Sequence, residues 1–547
     1  MTTKKSSNVA DWSCWAALAL FISVLIWIVS FHEPGFNEIQ AWAIAKTATL
    51  KQMIFYFPHL EGHPPLWFVL LAIPAKLGLS VEWGMKSVAC IISTLSAGLI
   101  IFKAPFPKWV RFLLPFTYFL FFEYSVLSRP YGIIVLALIL AAMSFPRKDQ
   151  HPWPFVLSLT LLALTHAFGL LAAFGLTCAW LIDMKQNQTW KKFFSNVFDF
   201  SLFAPLLILL CSAIFTLLCI WPLPDTVAMS LKSTTPIWQQ LVCVFLVFPP
   251  DALGASFVTS SQLVKQMTFT PLQLICGSIA GLLVWGAIAF FYAKKAIKYV
   301  VLAYIPVALF AMCYFGLHHL GIMFMIFVFG AWISTQCGPS WWEQLCKEGK
   351  FLPWQQQAIG KLQHIFLLLM LLVSIGATVC SSWADWRLVF MSSEKGLAKF
   401  IRAHHLEDTY ILSTWERNYS NPRIPNTAAT TFGIGTACYL GKNIVANLNE
   451  GDPAKFYRLH RLASGQENAI NFARWSQHEL PDLVLGAVPL PEIYGEQLKP
   501  PFPYVLVYKM NSYAFGKYRM PEPINIPVYA RKDIAEKYHL PILQPIQ

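Results

Sequence analysis

The chain has 547 residues, of which 56% are hydrophobic and 13% are charged, and its formal net charge is +13. Apolar runs fill most of residues 1–383, and several approach the roughly 20 residues that cross a bilayer as a helix. This composition excludes an ordinary soluble enzyme and predicts a polytopic α-helical membrane protein. Because the basic residues of this half occur in separate short loops and form no continuous stripe, we expect no nucleic-acid partner.

The first predicted span is Trp12 to Ser30, which follows a basic segment and lacks a small-residue cleavage site, so we expect it to be retained. Lysine and arginine clusters mark the loops that the positive-inside rule places in the cytoplasm, together with the N-terminus. Further spans are predicted at Phe112 to Ser128, Tyr131 to Phe145, Val300 to Phe315, Leu320 to Ser334 and Ile365 to Val379.

His63 is predicted to lie outside and Lys103 inside, so the chain must cross the membrane an odd number of times between them. Two apolar runs, 64–78 and 88–102, lie in this interval, and one of them therefore does not fully cross. As a helix, 64–78 reaches about 22 Å, against a hydrocarbon core of roughly 30 Å. We therefore expect about eleven spans, with 64–78 as a short or re-entrant helix. The region 238–270 is predicted to be interfacial, because a Phe-Pro-Pro-Asp segment interrupts it.

The second predicted unit, 384–547, is a C-terminal extracytoplasmic α/β domain of mixed polar sequence. Its predicted strands are 409–412, 482–485 and 504–508, its predicted helices are 395–404 and 454–463, and its final stretch, rich in Pro and Tyr, is expected to be irregular. Most of the 12 cysteines lie within or beside apolar spans, which argues against a disulfide framework. No zinc-binding or nucleotide-binding motif is recognisable.

Residues able to perform chemistry recur in the predicted outward loops. The first such loop, 31–63, contains Asn37-Glu38 at the start of a predicted helix and ends in Glu61-Gly62-His63, directly before two prolines. Later outward turns contain Glu123, Arg129, Tyr131, His166, His318 and His319. Ionisable groups at the membrane boundary cost free energy unless a polar partner occupies them, so they indicate a bound polar lipid head group.

These loops resemble those of the GT-C superfamily of membrane glycosyltransferases, in particular a bacterial branch similar to lipid A aminoarabinose transferases and protein O-mannosyltransferases. The resemblance implies transfer of a sugar from a polyprenyl-phosphate carrier to an envelope glycan, lipid or protein. It places the reaction on the outward face of the inner (plasma) membrane. No cofactor is certain: some members use a divalent metal and others use none, and no ligand cluster in this sequence decides between them.

The resembling enzymes carry an Asp-Glu pair in the first loop, where this chain has Asn37-Glu38. Asn37 cannot act as a base, so the resemblance implies that Glu38 is the catalytic carboxylate, with Glu33 or Glu61 nearby. The alternatives are a catalytically silent protein that binds the carrier lipid and a membrane transporter, although no internal repeat supports the transporter. We expect Arg129 to bind the donor phosphate, a role that suits its planar, permanently charged group. The other candidates for donor phosphate or sugar binding are His63, His166, Tyr131, Glu123, Asn37, Glu61, His318 and His319.

Each candidate also has a purely structural interpretation. Glu38 suits the positive end of a helix dipole, His63 can cap the following helix, and Arg129 can extend to the interface as arginines at span ends do. Glu123 interrupts an apolar span and is therefore expected to be paired or functional. Four aromatic residues fit a membrane-boundary belt better than a sugar-stacking surface, namely Trp42, Trp67, Tyr124 and Tyr131.

Overall fold

The computed structural model describes residues 12–186, 188–222, 235–254, 267–388, 394–413, 428–441, 444, 480–486, 503–514 and 522–543. In these ranges seven helices are long and apolar enough to cross a membrane, and a small sheet follows them near the C-terminus. The chain is therefore a helical membrane protein. The seven helices are Trp12–Phe31, Val81–Lys103, Ala167–Gln186, Phe200–Ile220, Pro271–Phe291, Leu317–Ser334 and Pro353–Arg387.

The helices of the first half are α1 (Trp12–Phe31), α2 (Phe36–Thr47), α3 (Leu50–Phe55), α4 (Phe57–Glu61), α5 (Leu66–Lys76), α6 (Val81–Lys103), α7 (Lys108–Leu113), α8 (Tyr131–Ser144), α9 (Pro152–Ala163), α10 (Ala167–Gln186), α11 (Trp190–Val197) and α12 (Phe200–Ile220). They are followed by α13 (Ile237–Val242), α14 (Phe248–Ala252), α15 (Pro271–Phe291), α16 (Lys294–Ala311), α17 (Leu320–Ser334), α18 (Trp341–Lys347), α19 (Pro353–Leu388), α20 (Glu394–Ala403), α21 (Ala428–Leu440) and α22 (Lys532–Lys537). The helix predicted at 454–463 lies outside the described residues.

Helix α5 has 11 residues, or about 16 Å at 1.5 Å per residue, so it is too short to cross the hydrocarbon core, as the sequence indicates. By contrast, α19 has 36 residues and continues to Leu388. The boundary predicted after residue 383 therefore falls inside this helix. Asp385 remains on the helix that enters the C-terminal domain.

The prediction of one continuous span from Phe112 to Ser128 is wrong. Helix α7 ends at Leu113, a 3₁₀ turn containing Pro115 follows, and Thr117 is extended. The chain then forms a π-helix, Phe119–Val126, in which the Ser125 hydroxyl donates to the Leu120 carbonyl at 2.6 Å. Pro115 has no backbone N–H to continue the helix, which explains the interruption of the predicted span. A π-helical turn inside a bundle often marks a functional position.

The C-terminal domain contains a four-stranded sheet with the order β1 (Ile411–Ser413), β2 (Leu483–Leu485), β4 (Glu522–Arg531), β3 (Tyr504–Ala514). β1 and β2 are parallel, whereas β4 pairs antiparallel with both of its neighbours. The expectation of an irregular final stretch is therefore wrong. The register of β4 with β2 covers only Val528 to Ala530, so Pro523 and Pro527 both lie outside it. The Pro527 carbonyl still accepts from the Gly486 N–H at 2.8 Å, but neither proline needs an N–H on this side, so both are tolerated.

One hydrophobic cluster joins α2 to α5 with the core of the C-terminal domain. Helix α2 packs on α5, α6 and α21, and the Cys438 thiol of α21 lies 4.0 Å from the Ile39 carbonyl of α2. On the other side of α2, the indole of Trp42 lies directly over Gly84 of α6. Helix α2 is thus held between the membrane helices and the C-terminal domain.

The aromatic residues assigned to a membrane belt are instead buried inside the protein. Trp42, Trp67, Tyr124 and Tyr131 expose only 1–3% of their surface, so they cannot lie against lipid head groups. Glycines make room for two of them, because a Cβ atom at Gly84 would overlap Trp42 and one at Gly321 would overlap Tyr124. The belt prediction is therefore wrong for these four residues.

Replacement of Gly84 by alanine is expected to displace the Trp42 indole and loosen α2. Overpacking of this kind typically costs about 1–3 kcal/mol, which should lower the melting temperature of the purified protein in detergent. Gly286→Ala is the matched control, because Gly286 is also inside a long apolar helix but has no atom within 4 Å of the added Cβ. Equal melting temperatures for the two variants would contradict the proposed packing of Trp42.

Candidate functional site

The Glu38 carboxylate is fully buried, and both of its oxygens accept backbone hydrogen bonds. Oε2 accepts from the Gly35 N–H at 2.8 Å, which closes the first turn of α2. Oε1 accepts from the Ser128 N–H at 2.6 Å, which fixes the turn between the π-helix and α8. One carboxylate therefore joins the start of α2 to the residue directly before Arg129.

His32, the first residue after α1, lies between two buried carboxylates. Its Nε2 is 3.3 Å from both oxygens of Glu38, and its Nδ1 is 2.9 Å from Oδ2 of Asp385 on α19. Burial by itself lowers the pKa of His32, but the charges of Asp385 and Glu38 and the hydrogen bonds they accept raise this pKa from 6.5 to about 10. The imidazole is therefore a cation at neutral pH, with both nitrogens donating.

The same contacts keep Glu38 ionised. Burial raises the pKa of Glu38, but the charge and hydrogen bond of His32, the charge of Arg129 and the Gly35 N–H outweigh it and lower this pKa below its ordinary value. Lys86, buried on α6, is within Coulombic range of both Glu38 and Asp385. Three cations thus surround two carboxylates inside the protein, and we call His32, Glu38, Asp385, Lys86 and Arg129 the buried charge network.

Arg129 lies at the edge of this network and is partly exposed. Its Nε is buried, and within the described ranges the Arg129 guanidinium makes no hydrogen bond or ion pair. Its charge acts on Glu38 and on the hydroxyls of Tyr118, Tyr124 and Tyr131. Arg129 is therefore a partly exposed cation that is able to bind an anion.

Four histidines from three loops, His63, His166, His318 and His319, lie together with Tyr131, and we call these five residues the histidine–tyrosine cluster. Ring centroids are 4.8 Å apart for His63 and His166, 5.2 Å for His166 and His319, and 4.1 Å for His318 and His319. The Tyr131 hydroxyl is 3.2 Å from Nε2 of His319 and 3.5 Å from Nε2 of His166. All five residues are candidates predicted from the sequence, and the structure brings them together.

Backbone contacts determine which nitrogens of the two buried histidines carry protons. The Gly316 N–H donates to Nδ1 of His319 at 2.8 Å, and the Phe168 N–H donates to Nδ1 of His166 at 3.2 Å. Burial lowers the pKa of His166, and His63 and His319 lower it further, so this imidazole is neutral. An Nδ1 that accepts leaves the proton on Nε2, which then points at the Tyr131 oxygen. The Tyr131 hydroxyl proton is consequently available to another acceptor.

Glu61 lies in the same region and differs from Glu38 in being partly exposed. It ends α4, and Gly62 follows in the left-handed conformation at φ 68°, which turns the chain toward His63. The Gln40 side chain of α2 donates to the Glu61 carboxylate. Burial and the Glu61 charge raise the pKa of Tyr314, whereas Arg129 lowers it, so Glu61 and Arg129 both act on one buried hydroxyl.

The remaining candidates occupy different positions. Asn37 is exposed, although the adjacent Glu38 is buried. Glu123 is buried on the π-helix and accepts a hydrogen bond from the Tyr118 hydroxyl at 3.0 Å. Its charge acts on the same three tyrosines as the charge of Arg129, and its side chain is buried. Glu33 lies near the C-terminal domain, where the charges of Lys395 and Lys399 act on it.

Four residues of this region were not predicted from the sequence, namely His32, Asp385, Gln40 and Tyr314. His32 and Asp385 each stand at the end of an apolar run, where a polar residue is ordinary, and they are 353 positions apart. The usable signal is that both are ionisable residues at the same predicted membrane face as Glu38. No group of three or more His, Cys, Asp or Glu suited to a metal ion occurs among the described residues.

No protein-family model matches this chain, and no curated protein sequence is significantly similar to it.

The raised pKa of His32 predicts a characteristic dependence of stability on pH. The unfolded imidazole has a pKa near 6.5, so the stabilising contribution is complete below that pH and is lost gradually as the pH rises to about 10. His32→Gln is expected to destabilise the protein by about 3 kcal/mol near neutral pH, and this difference should shrink as the solution becomes alkaline. Thermal unfolding of both proteins in detergent across this range measures it.

Among the described residues, the charged groups that act on His32 or on its two carboxylate partners include Asp385, Glu38, Glu33, Lys86 and Arg129. His364→Gln serves as the control, because His364 is an exposed histidine of the same helix α19. A constant stability difference between wild type and His32→Gln across this pH range would show that His32 is not the buried cation described.

Proposed function

We propose that the chain is an integral membrane glycosyltransferase that moves a sugar from a polyprenyl-phosphate carrier to an envelope glycolipid, glycan or protein. The observation that carries the proposal is Arg129, a boundary arginine whose guanidinium has no ion-pair partner within the described residues. A planar guanidinium suits the oxygens of a phosphate, and the cluster beside it adds the hydroxyl proton of Tyr131. These groups together suit an anionic lipid head group.

We further propose that this site faces outward across the inner (plasma) membrane, with the N-terminus in the cytoplasm and the C-terminal domain outside. Basic residues gather at the end of the bundle away from the site. There Asp183 pairs with Lys295 at 3.2 Å and also with Lys298, and Lys148 pairs with Asp149 at 2.8 Å. An excess of lysine and arginine in short loops favours the cytoplasmic side.

In the proposed reaction the acceptor hydroxyl oxygen attacks the anomeric carbon and the bond from that carbon to the phosphate oxygen breaks. Glu61 takes the hydroxyl proton, and the polyprenyl phosphate leaves as an anion beside Arg129. Glu61 suits this role better than Glu38, because Glu61 is partly exposed whereas Glu38 is fully buried and engaged by two backbone N–H groups and His32. A base must reach the proton that it removes.

A catalytically silent carrier-binding protein is the second candidate. The observation that favours it is the exposed Asn37, which occupies the position of the aspartate in the resembling enzymes and cannot accept a proton. Incubation of the purified protein with radiolabelled polyprenyl-phosphate sugars and envelope extracts separates the two functions. Labelled acceptor indicates the transferase, whereas carrier binding without labelled acceptor indicates the silent protein.

Arg129→Gln is expected to weaken binding of polyprenyl phosphate by about tenfold to a hundredfold, which corresponds to the 1.5–3 kcal/mol of a hydrogen bond to a charged group. Titration of the lipid into detergent-solubilised protein measures the affinity. Arg387→Gln is the matched control, because Arg387 is an exposed arginine near the same membrane boundary. Its Cζ lies 4.4 Å from the centroid of the Trp386 ring. If both variants bind like wild type, Arg129 is only an interfacial arginine.

Glu61→Gln is expected to lower the rate of sugar transfer by about 10²–10⁴-fold while the melting temperature stays close to that of wild type. Glu38→Gln should instead lower the melting temperature, because it removes the charge that His32 faces in a buried site. Rates with saturating donor and melting temperatures of the two variants test this division of roles. Unimpaired transfer by Glu61→Gln would remove Glu61 as the base.

A further inference from the structure

Among the described residues, His32 makes no hydrogen bond to the histidine–tyrosine cluster. Two consecutive hydrogen bonds nevertheless connect it to Ser128, the residue before Arg129. His32 binds Glu38 at 3.3 Å, and Glu38 binds the Ser128 N–H at 2.6 Å. Ser128 is the residue before Arg129, and Arg129 is followed by Pro130 and Tyr131. The position of the guanidinium therefore depends on a carboxylate that His32 holds.

We propose that His32 is a positioning residue for the donor phosphate, which it acts on through Glu38 and the Ser128–Arg129 turn. This inference rests on the proposed function, in which Arg129 binds that phosphate. Without His32, Glu38 would face the charge of Asp385 inside the protein with only the Gly35 and Ser128 N–H groups to hold it. Two buried carboxylates without the cation between them repel each other, so Glu38 would shift and release the Ser128 N–H.

Asp385 gives this connection its second end. The His32 Nδ1–Asp385 Oδ2 contact of 2.9 Å ties the network to α19, the helix that enters the C-terminal domain. The turn that carries Arg129 is thus tied, through Glu38 and His32, to the base of that domain. A displacement of the end of α19 would therefore reach the donor site through hydrogen bonds that each involve a charged group, and such bonds are stronger than neutral ones.

The test is a double-mutant cycle with farnesyl phosphate as the probe and full-length protein in detergent. His32→Gln is expected to weaken binding about tenfold in the wild-type background and to have no further effect when Arg129 is already glutamine. Independent, additive losses from His32→Gln and Arg129→Gln would overturn the proposal, because His32 would then act elsewhere. Unchanged affinity in His32→Gln would overturn it too.

Thr378→Val controls for a general loosening of α19. Thr378 is buried two turns before Asp385, and its hydroxyl donates to the Phe116 carbonyl at 2.8 Å without touching the buried charge network. This variant is expected to lower the melting temperature and to leave farnesyl phosphate affinity within twofold of wild type. If Thr378→Val weakens binding as much as His32→Gln does, the effect of His32 is only structural and the positioning role is overturned.

Hydrogen exchange at the Ser128 amide gives a readout that needs no ligand. We expect exchange of the peptide containing Ser128 to be at least tenfold faster in His32→Gln and unchanged in Thr378→Val. Unaltered protection of this amide in His32→Gln overturns the positioning role. Should the wild type not bind farnesyl phosphate at all, the proposed function fails, and the exchange result still decides whether His32 holds the Arg129 turn.

Discussion

The half of the structure that contains the candidate site depends on the neutralisation of Glu38. A carboxylate with no solvent exposure is tolerated only when charges and hydrogen bonds replace its water. Here the replacements come from two neighbours in the same loop and from one residue 90 positions away. Gly35, Ser128 and His32 each supply a donor. The requirement to satisfy one side chain therefore fixes the start of α2, the turn before α8 and the end of α1 relative to one another.

The same requirement distributes roles among the carboxylates. Glu38, surrounded by donors and cations, is held ionised and inaccessible, which suits a structural anion and not a group that exchanges protons with a substrate. Glu61 lies nearer the solvent, next to Gln40 and close enough to Tyr314 to act on its hydroxyl. Environment, more than residue type, distinguishes the two groups, as it does in many sites with paired carboxylates.

Much of the architecture could be predicted from the sequence. Long apolar runs located helices such as α1 and α17, and the short run before Gly78 indicated α5. The histidine–tyrosine cluster was also predictable in its members, because ionisable residues beside apolar spans are unusual. Their mutual contacts were not, since they depend on how α8, α10 and α17 pack.

Other features depend on long-range pairing that local patterns do not contain. β4 contains prolines, which argue against a strand. They are acceptable because both lie outside the register of β4 with β2. The buried aromatics resembled a membrane belt because the glycines that accommodate them are far away in sequence, as Gly84 is from Trp42. The contact between His32 and Asp385 is invisible for the same reason.

The shared cluster between α2 and the C-terminal domain has a consequence for biogenesis. Helix α2 emerges early in synthesis, but the α21 residues that pack on it, such as Cys438, are made only after the membrane helices. During translation the apolar face of α2 that packs on α21 therefore stays unpacked until the ribosome has made most of the polypeptide. The packing of the first loop is therefore completed only after the membrane helices and α21 have been made.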